Sequence, residues 1–156
     1  MMLIYSSDAM KDEFLALYKK NFKITGGGQM EIFLSMAVEQ KDKSIKIHLD
    51  NYIKDVLAKY SDYIKKSLQP KKVPISPGMV FKAEDVPESP DPQKKYRSFV
   101  AKLQFAPAAT WIRFDISFVV SQLARFCASA GQAQWAALHH LMEYLTAHPR
   151  YGIAGV

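Results

Sequence analysis

The chain has 156 residues, of which 49% are hydrophobic and 23% charged, a composition typical of a globular protein with one core or two small ones. Its lone cysteine, Cys127, excludes an intramolecular disulfide and favours a reducing, intracellular setting. No apolar run approaches the roughly 20 residues of a membrane span, so we expect no membrane partner. The formal net charge of +6 permits contact with a polyanion, but it is also common among soluble proteins.

Residues 1–30 predict a strand, a helix and a turn, in that order. Residues 1–5 have the pattern of a buried strand. Ser7 or Asp8 can cap the helix that follows, which has acidic residues in its first turn and lysines in its last. Residues 26–28 are glycines without the context of a phosphate-binding loop, and they predict a flexible turn. The helix has an apolar face made of Met10, Phe14, Leu17 and Tyr18.

A β-hairpin and a second helix are predicted next. Segments 31–40 and 44–49 are strand-like, and in the second segment isoleucines alternate with Lys46 and His48, as in a half-buried strand. Residues 50–66 then show helical periodicity, with lysines around an apolar stripe. The stripe consists of Ile53, Val56, Leu57, Tyr60 and Ile64.

Residues 70–95 are rich in proline and charge, a composition that disfavours regular helix and favours extended segments. We therefore predict a linker at 70–95, which separates a first region, 1–69, from a last region, 96–156. The predicted class is α+β. A small antiparallel sheet with helices forms the first region, and the last region is helical.

Three helices are predicted after the linker. Residues 96–106 form the first, which Pro107 ends or kinks. Residues 114–128 and 131–148 should form an antiparallel pair, because Gly131 separates them by a tight turn. Their apolar stripes consist of Phe99, Val100 and Leu103 in the first helix, Ile116, Val119, Val120, Leu123 and Cys127 in the second, and Trp135, Leu138, Met142 and Leu145 in the third.

No catalytic or metal site emerges from the residue pattern. His139 and His140 are adjacent, so on a helix their side chains point about 100° apart, whereas paired metal ligands on one helix face are commonly four residues apart. Asp8, Asp50 and Asp115 each lie near a predicted helix start, where N-terminal capping accounts for them. We assign no catalytic residue and no metal ligand from the sequence.

Lysines and arginines surround the predicted helices and are candidates for contact with a nucleic-acid backbone. Such a surface can neutralise phosphates without distinguishing bases. The alternative is a solvated face that keeps a small protein soluble. Arg113 has two candidate partners, Asp115 and a phosphate. The candidate nucleic-acid-binding residues are Lys54, Lys59, Lys65, Lys66, Lys71, Lys72, Arg97, Lys102 and Arg113.

Two blocks of the sequence, 2–60 and 90–153, resemble the later part of the reverse transcriptase of copia-type long-terminal-repeat retrotransposons. The first block has that family's order of strand, helix, hairpin and helix. Together the blocks cover nearly all of the chain outside the linker. The second block carries the phrases Tyr96-Arg97-Ser98, Arg113-Phe114-Asp115-Ile116, Leu123-Ala124-Arg125-Phe126, Tyr144-Leu145 and Tyr151-Gly152.

The chain departs from this family pattern at several positions. Glycines at 26–28 stand where the family has Asp-Leu-Gly, and residues 34–36 (Leu-Ser-Met) replace its Leu-Gly-Ile. Ala101 replaces the glycine after Tyr-Arg-Ser, and Phe114 replaces the proline of Arg-Pro-Asp. Such changes are typical of drift, including drift in a degenerate element.

The resemblance implies a fragment of an RNA-directed DNA polymerase that comprises the last palm strand, the thumb and the connection. The family's Tyr-X-Asp-Asp turn, whose aspartates bind Mg²⁺, would precede residue 2, and its ribonuclease H domain would follow residue 156. Two-metal phosphoryl transfer needs paired carboxylates. We therefore expect no polymerase activity from this chain alone and no cofactor in it.

The resemblance also implies partners and a location. The expected partners are the backbone of an RNA–DNA or DNA duplex and the rest of the reverse transcriptase polyprotein. The expected setting is intracellular, in the cytoplasm, a virus-like particle or the nucleus. The alternative hypothesis is a non-enzymatic helical module, or the product of a degenerate element, whose apolar faces dock to another protein.

Overall fold

The structure of the chain is a computed structural model that describes residues 5–23, 30–41, 44–79, 81–82, 90–106 and 111–155. These residues form helices and an antiparallel sheet, which confirms the predicted α+β class. The elements are α1 (Asp8–Asn21), β1 (Ile32–Phe33), β2 (Met36–Lys41), β3 (Ser44–His48), α2 (Asp50–Ile64), α3 (Pro90–Gln104), a 3₁₀ turn (Phe114–Ile116), α4 (Ser117–Ala124), α5 (Gln132–Ala147) and β4 (Gly152–Gly155).

The chain divides into two compact units, Met1–Glu31 and Ile32–Val156. In the first unit, the Ser7 hydroxyl caps α1 by accepting a hydrogen bond from the Met10 amide at 3.4 Å. The predicted apolar face exists, but none of the residues of α1 is buried. The predicted strand at 1–5 lies outside the described residues except for Tyr5, and the glycines at 26–28 lie outside them too.

The sheet of the second unit has the strand order β1-β2-β3-β4, with every neighbouring pair antiparallel. The predicted β2–β3 hairpin is confirmed, with Val38 opposite Ile47. The predicted strand 31–40 is instead two strands, because Leu34 and Ser35 both have positive φ and form a tight turn between them. Strand β4, which the sequence analysis missed, pairs with β3.

One hydrophobic core joins α2 to the three helices that follow residue 90. The sequence did not reveal that the regions on both sides of the proline-rich segment share a core. The predicted stripe of α2 is largely confirmed, since Ile53 and Tyr60 are fully enclosed and Ile64 is partly buried. The fully buried members also include Leu49, Leu103, Ile116, Leu123, Leu138, Leu141, Met142 and Leu145.

Two helix predictions after residue 70 need correction. Helix α3 begins at Pro90 rather than at residue 96, inside the segment 70–95 that we predicted as linker. Proline is well tolerated in the first helical turn, where its missing N–H would have no partner anyway. The predicted helix 114–128 is shorter than expected, because the 3₁₀ turn precedes α4 and the chain leaves regular helix after Ala124.

The capping roles that we predicted for three aspartates are also wrong. Of Ser7 and Asp8, the two caps predicted for α1, Ser7 is confirmed, and Leu49 precedes α2, whose first residue is Asp50. Asp115 lies within the 3₁₀ turn, whose N-cap position is Arg113, and its carboxylate accepts hydrogen bonds from the side chains of Arg113 and Tyr144. None of the described helices has the length and apolarity that crossing a membrane would require.

Candidate nucleic-acid interface

The two lysines predicted on α2 are each paired with an aspartate one turn earlier. Lys54 Nζ lies 2.9 Å from Asp50, and Lys59 Nζ lies 2.6 Å from Asp55. An acidic residue four positions before a lysine is the favourable order, and an exposed pair such as Asp55–Lys59 stabilises a helix by about 0.3–0.5 kcal/mol, whereas Asp50 is buried. Both lysines are more than half exposed, yet their charge is locally balanced.

A second group of cations follows the C-terminal end of α2. Lys65 ends the helix in the left-handed conformation, with φ of 52°, and Lys66 and Lys72 are exposed. Within the described part of the chain, these three have no ion pair closer than 4 Å. Lys71 lies 3.8 Å from the Glu143 carboxylate. Positive charge beside the last carbonyls of a helix is favourable, so Lys65 and Lys66 also stabilise the C-terminal end of α2.

Helix α3 lies alongside α2 in the opposite direction. The Tyr52 hydroxyl donates to the Lys102 carbonyl at 2.9 Å near one end, and Lys95 Nζ lies 6.0 Å from the Tyr63 ring centre near the other. Arg97 is exposed. Lys95 is absent from the predicted set because it falls within the segment predicted as linker.

Lys102 is more constrained than its neighbours. Its ammonium donates to the Ser98 hydroxyl at 3.1 Å and lies 5.3 Å from the centre of the Phe99 ring. The side chain is only half-buried, so the charge still reaches solvent. Of the nine predicted residues, eight lie on α2, on α3 or in the segment that follows α2, which together are called the α2–α3 side.

Arg113 is the exception, and its predicted contact with nucleic acid is corrected. The residue has no exposed surface. Its Nε and Nη2 atoms donate to the two carboxylate oxygens of Asp115 at 2.9 Å each, and Nη1 donates to the His148 carbonyl at 3.0 Å. A guanidinium enclosed in this way is unavailable to a phosphate. Of the two partners predicted for Arg113, the structure shows Asp115.

Asp115 is the centre of a partly buried polar cluster. Burial alone would raise its pKa, but the hydrogen bonds and charge of Arg113 outweigh burial and lower it. The Tyr144 hydroxyl donates to the same carboxylate at 2.9 Å. Burial and this hydrogen bond raise the pKa of Tyr144 to about 12. The cluster therefore attaches the 3₁₀ turn to α5 and the segment after it.

The two adjacent histidines of α5 each contact polar groups on other parts of the chain. His139 Nδ1 lies 3.3 Å from the Tyr60 hydroxyl. His140 contacts the Ser76 hydroxyl at 3.2 Å and the Val73 carbonyl at 3.0 Å. Among the residues that the structure describes, no group of three or more His, Cys, Asp or Glu side chains could hold a metal ion.

Glu143 is a buried polar residue that the sequence analysis missed. It is 7% exposed and accepts a hydrogen bond from the Gln69 amide at 3.1 Å. Its backbone carbonyl accepts another from the Lys71 amide at 3.3 Å. Together with His140, it attaches the first part of the proline-rich segment to α5. Its position within an amphipathic helix gave no signal of this role.

A small cavity of about 250 Å³ opens beside β3 and β4, on a different part of the second unit. Lys46 and Arg150 contribute cations to its lining, and Phe114 and Tyr151 contribute aromatic rings. The side chain of Arg150 also forms an ion pair with Glu39. None of the residues of this lining was predicted as a site residue from the sequence, in which Asp115 had only a capping role and a candidate pairing with Arg113.

Comparison with known proteins shows similarity to a transposon-encoded polyprotein. The relative is the retrovirus-related Pol polyprotein from transposon RE1 of Arabidopsis thaliana, with 25% identity over 134 residues. The match covers 86% of this chain and 9% of that polyprotein. No protein-family model and no solved structure matches the chain. The similarity supports an origin in a retrotransposon polyprotein.

Proposed function

We propose that this chain is part of the reverse transcriptase of a copia-type element and that it binds the backbone of a template–primer duplex. Similarity to a transposon Pol polyprotein supports the origin. The observation that supports binding is a set of exposed cations on α3 and in the segment after α2, which have no ion pair within 4 Å among the described residues: Lys65, Lys66, Lys72 and Arg97. The role is to hold nucleic acid, without chemistry performed by this chain.

The charge arrangement favours weak, sequence-independent contact. Lysine ammonium groups are point charges on flexible stems, which suits phosphate neutralisation better than base recognition. The paired lysines Lys54 and Lys59 contribute less, because their aspartates remain beside them when a phosphate approaches. Mg²⁺, which polymerases of this family use, has no fitting set of ligands among the described residues.

The test is binding to an RNA–DNA hybrid and to DNA duplex of the same sequence, measured by fluorescence anisotropy. Affinity should fall steeply with salt, with a slope in log–log form of about 0.9 for each phosphate contact. Substituting Lys65, Lys66 and Lys72 with glutamine should reduce that slope by about 2 to 3. Failure of the wild-type chain to bind either duplex at low salt, or binding that ignores salt, would refute the proposal.

A matched control removes the same charge elsewhere. Glutamine at Lys19, Lys20 and Lys23 lowers the net charge equally but leaves the α2–α3 side intact. This control should keep most of the wild-type salt slope. An equal loss in both triple variants would show that only the net charge matters.

A second candidate function is docking to another protein, which the apolar surface of α1 favours. Met10, Leu17 and Phe22 are each more than half exposed, and the rings of Phe14, Tyr18 and Phe22 stack at 5.0 Å intervals. Exposed apolar groups of this kind mark interaction sites. Light scattering with size-exclusion chromatography tests whether the chain self-associates and whether Leu17→Lys abolishes the association.

A further inference from the structure

The cavity beside β3 and β4 is too small to enclose a drug-sized molecule, but it could hold one chemical group of such a molecule. Its volume of about 250 Å³ is below the roughly 300–1,000 Å³ of sites that enclose a drug-sized molecule. Lys46, Gly152 and the turn before α4 contribute part of the lining, and Ile112, Arg150 and Tyr151 contribute the rest from the loops between elements. A ligand that fits here would place one group in the cavity and leave the remainder outside.

The aromatic part of the lining is already ordered. Tyr151 stacks on His148 at 4.6 Å, and His148 lies 4.7 Å from Tyr144 with its ring tilted by 56°. The Arg113 guanidinium lies 5.7 Å from the centre of the Tyr151 ring, so several contacts hold this ring in place. Tyr151 is 50% exposed and Phe114 is 72% exposed. Binding of a flat ring against Tyr151 would cost the protein little side-chain entropy, because these contacts hold Tyr151 before binding. Stacking on such a surface is tolerant of base identity.

The charged part of the lining selects for an anion. Lys46 and Arg150 carry two positive charges, and Glu39, which pairs with Arg150, removes one of them. The charge of Asp115 is cancelled by Arg113. One net positive charge therefore remains at the cavity. A flat ring attached to a single negative charge has the chemistry of one nucleotide unit.

We propose that this cavity binds one unpaired nucleotide of single-stranded RNA or DNA, with its base against Tyr151 and its phosphate near Lys46. Bases in a duplex are paired and stacked on each other, so they cannot enter. The inference rests on the proposed function only in that the chain meets nucleic acid. The cavity lies on a different surface from the α2–α3 side, and it would bind single-stranded rather than duplex nucleic acid.

The test is anisotropy of a labelled oligothymidylate of about a dozen nucleotides, which matches common single-strand site sizes. Tyr151→Leu should weaken binding about tenfold, and Tyr151→Trp should retain it, because the larger ring preserves stacking. Lys46→Gln should lower the salt slope by about 0.7. Phe118→Leu removes an exposed ring outside the cavity and should have no effect.

The outcomes separate this inference from the proposed function. If the chain binds duplex and Tyr151→Leu leaves the affinity for oligothymidylate unchanged, the cavity site is refuted and the proposed function stands. Single-strand binding that depends on Tyr151, without duplex binding, supports the cavity and refutes the proposed function. Absence of both refutes both.

Two further readouts complete the test. Uridine monophosphate binding as tightly as the oligomer would overturn the assignment to a strand and indicate a free nucleotide. Thermal unfolding of each variant checks that the protein remains folded. If Tyr151→Leu unfolds, Tyr151→Trp and Lys46→Gln become the test variants. Binding by Lys46→Gln with the wild-type affinity and salt slope would then overturn the proposal.

Discussion

Arg113 and Asp115 form a two-point ion pair whose guanidinium is entirely enclosed, although only one residue separates them in sequence. Removing two charges from water is expensive, and the cost is offset here by parallel hydrogen bonds and by the His148 carbonyl. The pair therefore fixes the geometry of the turn before α4. Its role is structural, and its contribution to the stability of the fold depends on the presence of both partners.

Asp115→Ala should destabilise the chain strongly, because it leaves the enclosed charge of Arg113 without a counter-charge. We expect a loss of about 3 kcal/mol, or roughly 10 °C in Tm. Urea unfolding measures the loss. Asp55→Ala breaks an exposed ion pair on α2 and should cost less than about 0.5 kcal/mol.

Replacing both partners distinguishes a charge effect from a packing effect. The double variant Arg113→Met with Asp115→Leu should recover part of the stability that Asp115→Ala loses, since no charge is then buried. A double variant less stable than Asp115→Ala would contradict this account.

Tyr144 should make stability depend on alkaline pH. Its pKa is raised to about 12 in the folded chain, so folding favours the protonated phenol. This contribution is fully present below the unfolded pKa of about 10 and is lost as pH rises from there to about 12. Buried Tyr60 and Tyr96 also have raised pKa values and contribute in the same direction.

The contribution of Tyr144 is isolated by a difference measurement. The gap in unfolding free energy between wild type and Tyr144→Phe should narrow between pH of about 10 and 12. Tyr18→Phe, on exposed α1, serves as the control. A gap that stays constant across this range would show that the Tyr144 hydroxyl does not titrate as described.

Gly152 is required by close approach of the backbone, and Gly155 in the same strand is not. A Cβ at position 152 would lie 2.2 Å from the Ile47 carbonyl oxygen, whereas a Cβ at 155 meets nothing within 4 Å. Gly152→Ala should cost about 1–3 kcal/mol by forcing β4 away from β3. Gly155→Ala should change stability by less than about 0.5 kcal/mol. Equal melting temperatures for the two variants would contradict the described β3–β4 pairing.

Glu143 should control how firmly the segment after α2 is attached to α5. Glu143→Ala removes the acceptor of the Gln69 amide and leaves that group unsatisfied, at a cost of about 1–3 kcal/mol. Trypsin should therefore cleave after Lys71 or Lys72 roughly ten times faster, provided that local opening precedes cleavage. Glu13→Ala, on exposed α1, should leave the cleavage rate unchanged. Cleavage at the wild-type rate in Glu143→Ala would disprove the attachment.

Elements with a strong local pattern were predictable from sequence. The stripe of α2 and the alternation of β3 both appear as expected, because burial of one face imposes a period on the residues. Strand β4 was missed because Gly152–Gly155 is short and rich in glycine, which is uncommon in strands. The turn at Leu34 and Ser35 lacks the asparagine or glycine that usually indicates positive φ.

The candidate site was predictable only where its contacts are local. The Asp55–Lys59 pair follows from a spacing of four residues on a helix. The burial of Arg113, by contrast, depends on the His148 carbonyl, which comes 35 residues later. The cavity beside β3 and β4 combines residues from distant parts of the chain, so no single stretch of sequence indicates it.

The ion pair between Glu39 and Arg150 joins residues 111 positions apart, and the β3–β4 pairing spans a similar distance. During synthesis on the ribosome, β3 is made long before its partner strand. The edge of β3 that will pair with β4 keeps its N–H and C=O groups unpaired, and accessible to other strands, until Gly152–Gly155 leave the exit tunnel. Chaperone demand and aggregation of nascent chains should therefore be greatest in this interval, and slow translation of the last helix would prolong it.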